Sequence, residues 1–400
     1  MNILKKIYCR AFQACFRLAM PFMPYREPEI LSNVAEIVPV LQKLGITSVL
    51  MVVSKTIRKS ITFSRLETLL QKANIKCVIY DETCPNPTIH NVEAARALYI
   101  QGNCEAIIAF GGGSPIDCAK AVGARIAYPN KSVNQMKGLL KVLKKIPTLI
   151  AIPTTAGTGS EVTITSVITN SEIKHKYTMN SFPLIPDYAV LDPEVTFSLP
   201  QSLTATTGMD ALTHAVEAYI GGSTTKETRA YAKEAVKLIF ENLETAYLDG
   251  KNETARRNML RAAYTAGIAF SKSYVGYVHA VAHTLGGQYN VPHGLANAVL
   301  MPIVLDEFGE SAYEKLHQLA IAAGISKESD NVADSAKKFI QEIRDMNGRM
   351  NIPAGFDMIV KSDIPMMAEH ADAEANPLYP VPKLMDAKEL EKIYYKAILS

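Results

Sequence analysis

Four side chains in the second half of the chain are of the types that hold a transition metal. Asp210 and His214 lie in MDALTHAVEAY, and His279 and His293 lie in HAVAHTLGGQYNVPHG. Three imidazoles and one carboxylate suit Zn²⁺ or Fe²⁺. The chain has only eight histidines, and four of them (His214, His279, His283 and His293) fall between positions 214 and 293. Asp210 and His214 are four residues apart, as are His279 and His283, so on helices each pair shares one face. His293 follows a Gly-Gly pair and Pro292. A lone histidine on an apolar helix is usually a satisfied core residue. Five candidates in two short segments point instead to a metal, although spacing cannot choose between His279 and His283 as the ligand.

Upstream, AFGGGSPIDCAK follows an apolar run and opens a helical pattern. Its glycines allow close approach to a pyrophosphate, and a helix N-terminus there adds N–H donors and a positive dipole end. Ser114 adds a hydroxyl, and Asp117 sits in the first turn. The pattern is neither GxGxxG nor a P-loop, so alone it is weak. A second polar turn, IPTTAGTGSEVT, places Thr154, Thr155, Thr158, Ser160 and Thr163 around Gly157 and Gly159. Two such loops at the ends of neighbouring parallel strands would face one crevice, where open α/β sheets bind ligands. A nucleotide site followed by a metal site suggests metal-assisted redox chemistry.

The elements that must position these groups divide the chain in two. SVLMVV (48–53), CVIYD (77–81), EAIIAFGGG (105–113) and TLIAIPTT (148–155) read as buried strands, with helical stretches between them. YAVLDPEV (188–195) reads as a last strand running into a proline. Buried strands alternating with helices predict a parallel α/β sheet. Beyond Pro200 the periodicity is helical throughout, so the expectation is an all-α domain. The domains read as 25–195 and 196–400, after a leader of residues 1–24.

That leader, MNILKKIYCRAFQACFRLAMPFM, is apolar with Lys5, Lys6, Arg10 and Arg17 interspersed. The arginines interrupt it too early for a secretory signal or a membrane span. Ile3, Ile7, Phe12, Phe16 and Ala19 recur at helical spacing, which predicts a basic amphipathic helix ending near Pro21. It would dock on the protein body or a neighbouring subunit, with weak contact to an anionic membrane surface as the other reading.

With 400 residues, 48% hydrophobic and 20% charged, the chain can bury a sizeable core. A net charge of +3, without clustered bases and aromatics, argues against nucleic-acid binding. The six cysteines form no CxxC pair and lie away from the histidines. A reducing cytoplasm is therefore expected, and thiolate ligation of the metal is not.

GGGSPID, IPTTAGTGSEVT, DALTHAVEAY and HAVAHTLGGQYNVPHGLANAVLMP resemble the motifs of the iron-containing (group III) alcohol dehydrogenases. The resemblance runs from about residue 25 to the C-terminus. It implies an N-terminal Rossmann-like parallel-sheet domain and a C-terminal helical domain, with the active site in the cleft between, an architecture shared with dehydroquinate synthases. It further implies that Asp210, His214, His279 and His293 are the metal ligands, and that His283 is a nearby non-ligand histidine for substrate binding or proton relay. Gly112, Gly113, Ser114 and Asp117 would form the pyrophosphate turn. Thr154, Thr155, Thr163 and Lys176 would contact the cofactor, and Asn86 would lie near its adenosine.

The chain departs from that pattern in two places. Many members carry Asp at the end of the second strand, where it contacts the adenosine ribose and repels a 2′-phosphate. Here the position is Ser54, followed by Lys55 and Arg58. The entry turn, usually Phe-Gly-x-Gly, is EILSNVAEI, and Asn33 is expected to supply the turn in place of glycine. The resulting expectation is an Fe²⁺-dependent (or Zn²⁺-dependent), NADP- or NAD-linked alcohol dehydrogenase or aldehyde reductase, a homodimer acting on a small primary alcohol or aldehyde. The other readings are a maleylacetate reductase-like or diol/hydroxyacid dehydrogenase, and a non-catalytic nucleotide-binding scaffold.

Overall fold

The computed structural model describes residues 1–19, 22–172 and 175–399. It comprises two compact units, Pro24–Leu199, and Pro200–Ser400 together with Met1–Met23. The chain opens with helix α1 (Ile3–Ala19), which is part of the latter unit; its expected stop at Pro21 lies outside the described residues.

The sheet unit runs β1 (Glu29–Leu31), α2 (Ile37–Lys43), β2 (Ser48–Val53), α3 (Lys55–Arg58), α4 (Ile61–Lys72) and β3 (Lys76–Tyr80). It continues through α5 (Ile89–Gln101), β4 (Ala106–Gly111), α6 (Gly113–Ala127), β5 (Gly138–Leu139) and β6 (Thr148–Pro153). β7 (Thr165–Asn170), β8 (His175–Asn180) and β9 (Tyr188–Val190) complete it. Six strands form one parallel sheet in the order β1-β9-β6-β4-β2-β3. Every residue of β2 and β4 is buried, because helices cover both faces and both sets of alternating side chains must be apolar. Leu50, Val52, Ile107 and Ala109 join the core against α5 and α6. Val49, Met51, Val53, Ile108 and Phe110 join Leu41, Phe63 and Leu66 of α2 and α4 on the other face.

The strand order places the functional loops. From β2 the chain steps outward to β3, then returns past β2 to β4. The reversal of direction falls between β2 and β4, and in open parallel sheets the crevice beyond such a point binds ligands. Ser54 follows β2, Gly112 follows β4, and Thr154 follows β6 next door. A second sheet, β5-β8-β7, contains an antiparallel pair that the sequence reading did not anticipate. Burial along β7 alternates between intermediate and buried, so it carries no continuous apolar run. The entry turn also differs from expectation. Asn33 has φ −156° and ψ 162°, extended backbone rather than a glycine-like turn, and its Oδ1 accepts from Ala35 N to cap a short 3-10 helix.

The helical unit contains α7 (Gln201–Ile220), α8 (Lys226–Leu248), α9 (Glu253–Ser273), α10 (Tyr277–Tyr289), α11 (His293–Phe308) and α12 (Glu310–Ala322). α13 (Val332–Arg349), α14 (Ile364–Ala375) and α15 (Ala387–Lys396) follow. α7 is buried at every position from Gly208 to Ile220, so it is the helix around which the unit packs. Polar side chains on its length are therefore held in the interior.

Truncating the centre of the sheet should be costly. Phe110 is 0% exposed and its ring lies 5.9 Å from that of Phe63. Phe110→Ala should lower stability by about 3–5 kcal/mol in urea unfolding followed by far-ultraviolet circular dichroism. A loss below about 1 kcal/mol would show that the site collapses around the deletion.

Candidate functional site

Three helices of the helical unit bring the candidate ligands together. α7 presents Asp210, His214 and Glu217 on successive turns, α10 presents His279 and His283, and α11 begins at His293. Gly294 permits the approach of α11, since a Cβ there would meet the Thr206 carbonyl oxygen of α7 at 2.5 Å. The candidate donor atoms of Asp210, His214, His279 and His293 all lie within 4.8 Å of one another. Asp210, His214 and His279 are buried, whereas His293 is 35% exposed and gives the group an open side. Five histidine and aspartate candidates were read from the sequence, and His283 falls outside this group of four.

Neighbouring side chains orient the rings. Glu217 is 3% exposed, and its Oε2 lies 2.6 Å from His279 Nδ1. The same carboxylate accepts the backbone N–H groups of Gly276 and Val278 at 2.7 Å each, capping α10. Glu217 thus occupies the Nδ1 edge of His279 and leaves Nε2 for a metal. Burial pushes the Glu217 carboxyl up to about 8, against the pull of those N–H groups. Burial, and then the neighbouring imidazoles of His214, His293 and His283, push His279 well below its ordinary value and keep it neutral, the form that ligates. His214 is stacked between Phe270 of α9, at 4.2 Å between centroids, and His279, at 4.7 Å.

Asn297, one turn beyond His293, points its amide at the same group. Its Nδ2 donates to Asp210 Oδ1 at 2.7 Å and lies 3.1 Å from His293 Nε2 and 3.3 Å from His279 Nε2. Its buried Oδ1 makes no hydrogen bond among the described residues. Lone pairs from one carboxylate and two imidazoles thus converge on one N–H donor, an arrangement that also suits a cation. The donor set fits Fe²⁺ or Zn²⁺. His283 is instead held by Glu374 of α14, Nδ1 to Oε1 at 2.7 Å, and its ring stacks on His293 at 5.2 Å. Tyr379 Oη donates to the same Glu374 oxygen at 2.8 Å. Burial raises the Glu374 carboxyl, but the His283 charge and the two hydrogen bonds outweigh it and leave the group below the usual carboxylate range.

In the sheet unit the two polar loops meet. A Cβ on Gly112 would lie 3.2 Å from Thr155 Oγ1, and one on Gly113 would lie 3.1 Å from Thr158 Cγ2. Gly112 is the N-cap of α6, and Ser114 lies in its first turn. Thr154 N donates to Gly111 O at 3.0 Å, while Thr155 Oγ1 is buried and makes no hydrogen bond among the described residues. Asp117 ties the loops together, its Oδ1 accepting from Ser160 Oγ at 2.6 Å and its Oδ2 from Val167 N at 3.2 Å. Asn86, at φ 55°, accepts from Lys176 Nζ at 2.8 Å, so these two distant candidates are neighbours. Ser54 Oγ accepts from Ile57 N and caps α3.

The sequence reading missed two groups beneath these loops. Lys120 is 0% exposed and donates to Thr163 O, Thr163 Oγ1 and Thr165 O at 2.8–2.9 Å. The Thr163 hydroxyl is thereby engaged. Burial lowers the Lys120 ammonium to about 8, against the charges of Asp117 and Glu161. Glu161 is 1% exposed, and its Oε1 makes no hydrogen bond among the described residues. The signal was present in the motifs themselves, as a Lys one turn past GGGSPID and a Glu inside GTGSEVT.

Comparison with known proteins agrees with both halves. The model of the "Iron-containing alcohol dehydrogenase" family matches residues 30–193, and that of the "Fe-containing alcohol dehydrogenase family, C-terminal" matches residues 204–398. The 1,3-propanediol dehydrogenase of Klebsiella pneumoniae is 37% identical over 386 residues, covering 96% of this chain and 98% of that protein. The NAD-dependent methanol dehydrogenase of Bacillus methanolicus is 34% identical over 333 residues, covering 83% and 87%. A crystal structure of a 1,3-propanediol oxidoreductase superposes with a TM-score of 0.90 at 36% identity, covering 94% of this chain and 99% of that one. The chain belongs to the iron-containing alcohol dehydrogenase family.

Glu161 makes the sheet unit sensitive to pH. Burial raises its carboxyl from 4.5 to about 7, opposed by its own backbone N–H and by Lys120. A carboxyl raised on folding favours the folded state while protonated, and that contribution is lost as pH rises from the ordinary value through about 7. The loss is about 3 kcal/mol. Glu161→Gln should therefore raise the unfolding midpoint of the ligand-free protein at about pH 8, with the gain shrinking toward about pH 5. A gain independent of pH would contradict this reading.

Proposed function

We propose that the chain is a metal-dependent dehydrogenase of small primary alcohols, run in reverse as an aldehyde reductase. The observation that carries the reading is the group of four donor atoms, with His279 locked by Glu217. Asp210, His214, His279 and His293 would hold Fe²⁺, with Zn²⁺ as the substitute that the same donors accept. The ion would supply Lewis acidity toward an alcohol or carbonyl oxygen, and a nicotinamide cofactor would accept or donate the hydride.

The chain's own residues do the rest. Glu217 fixes the tautomer of His279, and Phe270 fixes the plane of His214. His283, anchored at Nδ1 by Glu374, is the group placed to hold or release the alcohol proton, with Tyr379 steadying the carboxylate. The α6 N-terminus and the Gly112–Gly113 backbone receive the pyrophosphate, helped by Ser114 and by the Thr155 hydroxyl. Asp117 and Lys120 brace the two loops from behind rather than reaching outward. Asn86 and Lys176 form one polar pair for the cofactor.

Cofactor choice rests on Ser54. Ser54 rather than a carboxylate follows β2, so that position would not repel a 2′-phosphate and NADPH would be accepted. Arg58 is engaged by Glu67 at 3.0 Å and lies 4.7 Å over the Phe63 ring, whereas Lys55, next to Ser54 in the chain, is exposed. Ser54→Asp should reduce kcat/KM for NADPH at least about tenfold while sparing NADH. Unchanged NADPH kinetics would remove Ser54 from the account.

The metal and proton roles separate by mutation. His279→Ala should abolish bound metal and aldehyde reduction together. His283→Ala should lower kcat by about 10²–10⁴ and keep the metal at one equivalent, as measured by inductively coupled plasma mass spectrometry. Loss of metal in His283→Ala, or its retention in His279→Ala, would reverse the assignment.

A further inference from the structure

Helix α1 meets the rest of the helical unit through a mixed side. Cys9 is buried, and the Phe16 ring lies edge-on to Tyr274 at 4.9 Å. Gln13 is buried and its Nε2 donates to the carbonyl oxygens of Pro377 and Tyr379 at 3.1 and 2.8 Å. Arg10 donates to the carbonyl oxygens of Val381 and Pro382 at 2.8 Å, and Lys5 pairs with Asp372 at 2.7 Å. The opposite side is apolar and faces solvent. Leu4, Tyr8, Ala11, Cys15 and Leu18 follow one another at helical spacing along one exposed stripe, edged by Ile3 and Ile7. Ile3, Leu4 and Leu18 are 74–75% exposed, and Phe22 just beyond the helix is 88% exposed. An exposed apolar stripe along the whole of a helix is the pattern of a helix that lies in an interface.

The occupant can be argued from charge and area. α1 contains Lys5, Lys6, Arg10 and Arg17 and no carboxylate. Asp372 pairs with Lys5, and exposed Lys6 and Arg17 carry the positive charge of the helix toward solvent. Two copies packed stripe to stripe would bring these cations together. The stripe is also too small for a stable dimer. Seventeen residues of helix are about 25 Å long, and a stripe about 10 Å wide covers about 250 Å², against about 800 Å² per partner in a typical interface. A helix with an apolar face and only basic charges suits an anionic lipid surface, where the side chains of the stripe enter the acyl boundary and the cations stay at the headgroups. No helix among the described residues is long and apolar enough to cross a membrane, so such contact would be peripheral.

We propose that α1 is a docking face for anionic phospholipid surfaces. The helix lies in the plane of the bilayer with Leu4, Tyr8 and Leu18 inserted, while Gln13 and Arg10 keep it fastened to the enzyme. The attachment is reversible and weakens with salt. Residues 1–29 fall outside both matched family models.

The test is co-sedimentation of the full chain with vesicles of equal parts phosphatidylglycerol and phosphatidylcholine, and with pure phosphatidylcholine vesicles, at low and high salt. Binding is expected to the anionic vesicles alone, with release at high salt. Leu4→Glu/Leu18→Glu and, separately, Lys6→Glu/Arg17→Glu should each reduce the partition coefficient at least about tenfold, with aldehyde reduction in solution unchanged. Wild-type protein remaining in the supernatant with anionic vesicles would overturn the proposal, as would equal binding by the variants. A dimer in light scattering that Leu4→Glu/Leu18→Glu converts to monomer would assign the stripe to a second copy and equally overturn it.

Discussion

A single buried carboxylate ties the helical unit to its chemistry. Glu217 sits in the centre of α7, accepts two backbone N–H groups at the start of α10, and holds Nδ1 of His279. Burying a carboxylate is expensive, and three donors fixed by the fold offset part of that cost. Gly276 leaves room for it, since a Cβ there would meet Glu217 Oε1 at 2.8 Å. Position and tautomer of a candidate metal-binding imidazole therefore follow from the same contacts that begin the helix carrying it. The rest of the group is arranged around this contact: His214 stacks on His279, Asn297 spans Asp210 and His293, and His283 lies one turn beyond on α10.

The sheet unit meets a different proposed requirement, that of holding the backbone N–H groups at the start of α6 open to an anion. A Cβ on Gly112 or Gly113 would press on Thr155 or Thr158 at 3.1–3.2 Å, so the glycines let the two loops approach closely. Asp117 and Lys120 lock the second loop behind the first. Parallel pairing of β4 with β6 makes the loops neighbours, and the reversal between β2 and β4 puts Ser54 beside the glycine turn. Glu161 is the exception, a carboxylate buried beneath the loops with one oxygen unpartnered among the described residues.

Much of this was legible in the sequence. β2, β3, β4 and β6 were read from their apolar runs, because a sheet covered on both faces demands such runs. The β7–β8 hairpin was not read, since its residues alternate rather than run apolar. Asp210, His214, His279 and His293 were visible as residue types at helical spacing, but His279 and His283 share a helix face, and only packing against Glu217 and Glu374 separates them. Glu217 itself lay inside the motif DALTHAVEAY and gave no sign of its role, because a glutamate on a helix is ordinarily a solvated one. The leader was recognised as amphipathic, yet its orientation could not be read, since periodicity identifies two faces and not which of them meets the protein.

The central claim is that four side chains, kept in register by Glu217, bind one divalent ion. Anaerobic titration of the metal-stripped protein with Fe²⁺, comparing wild type with Glu217→Gln at matched helicity by circular dichroism, tests it most directly. The amide cannot accept from all three donors, so the variant should bind one equivalent about 10–100-fold more weakly than wild type. An unchanged Kd, or no stoichiometric binding by the wild type, would contradict the account.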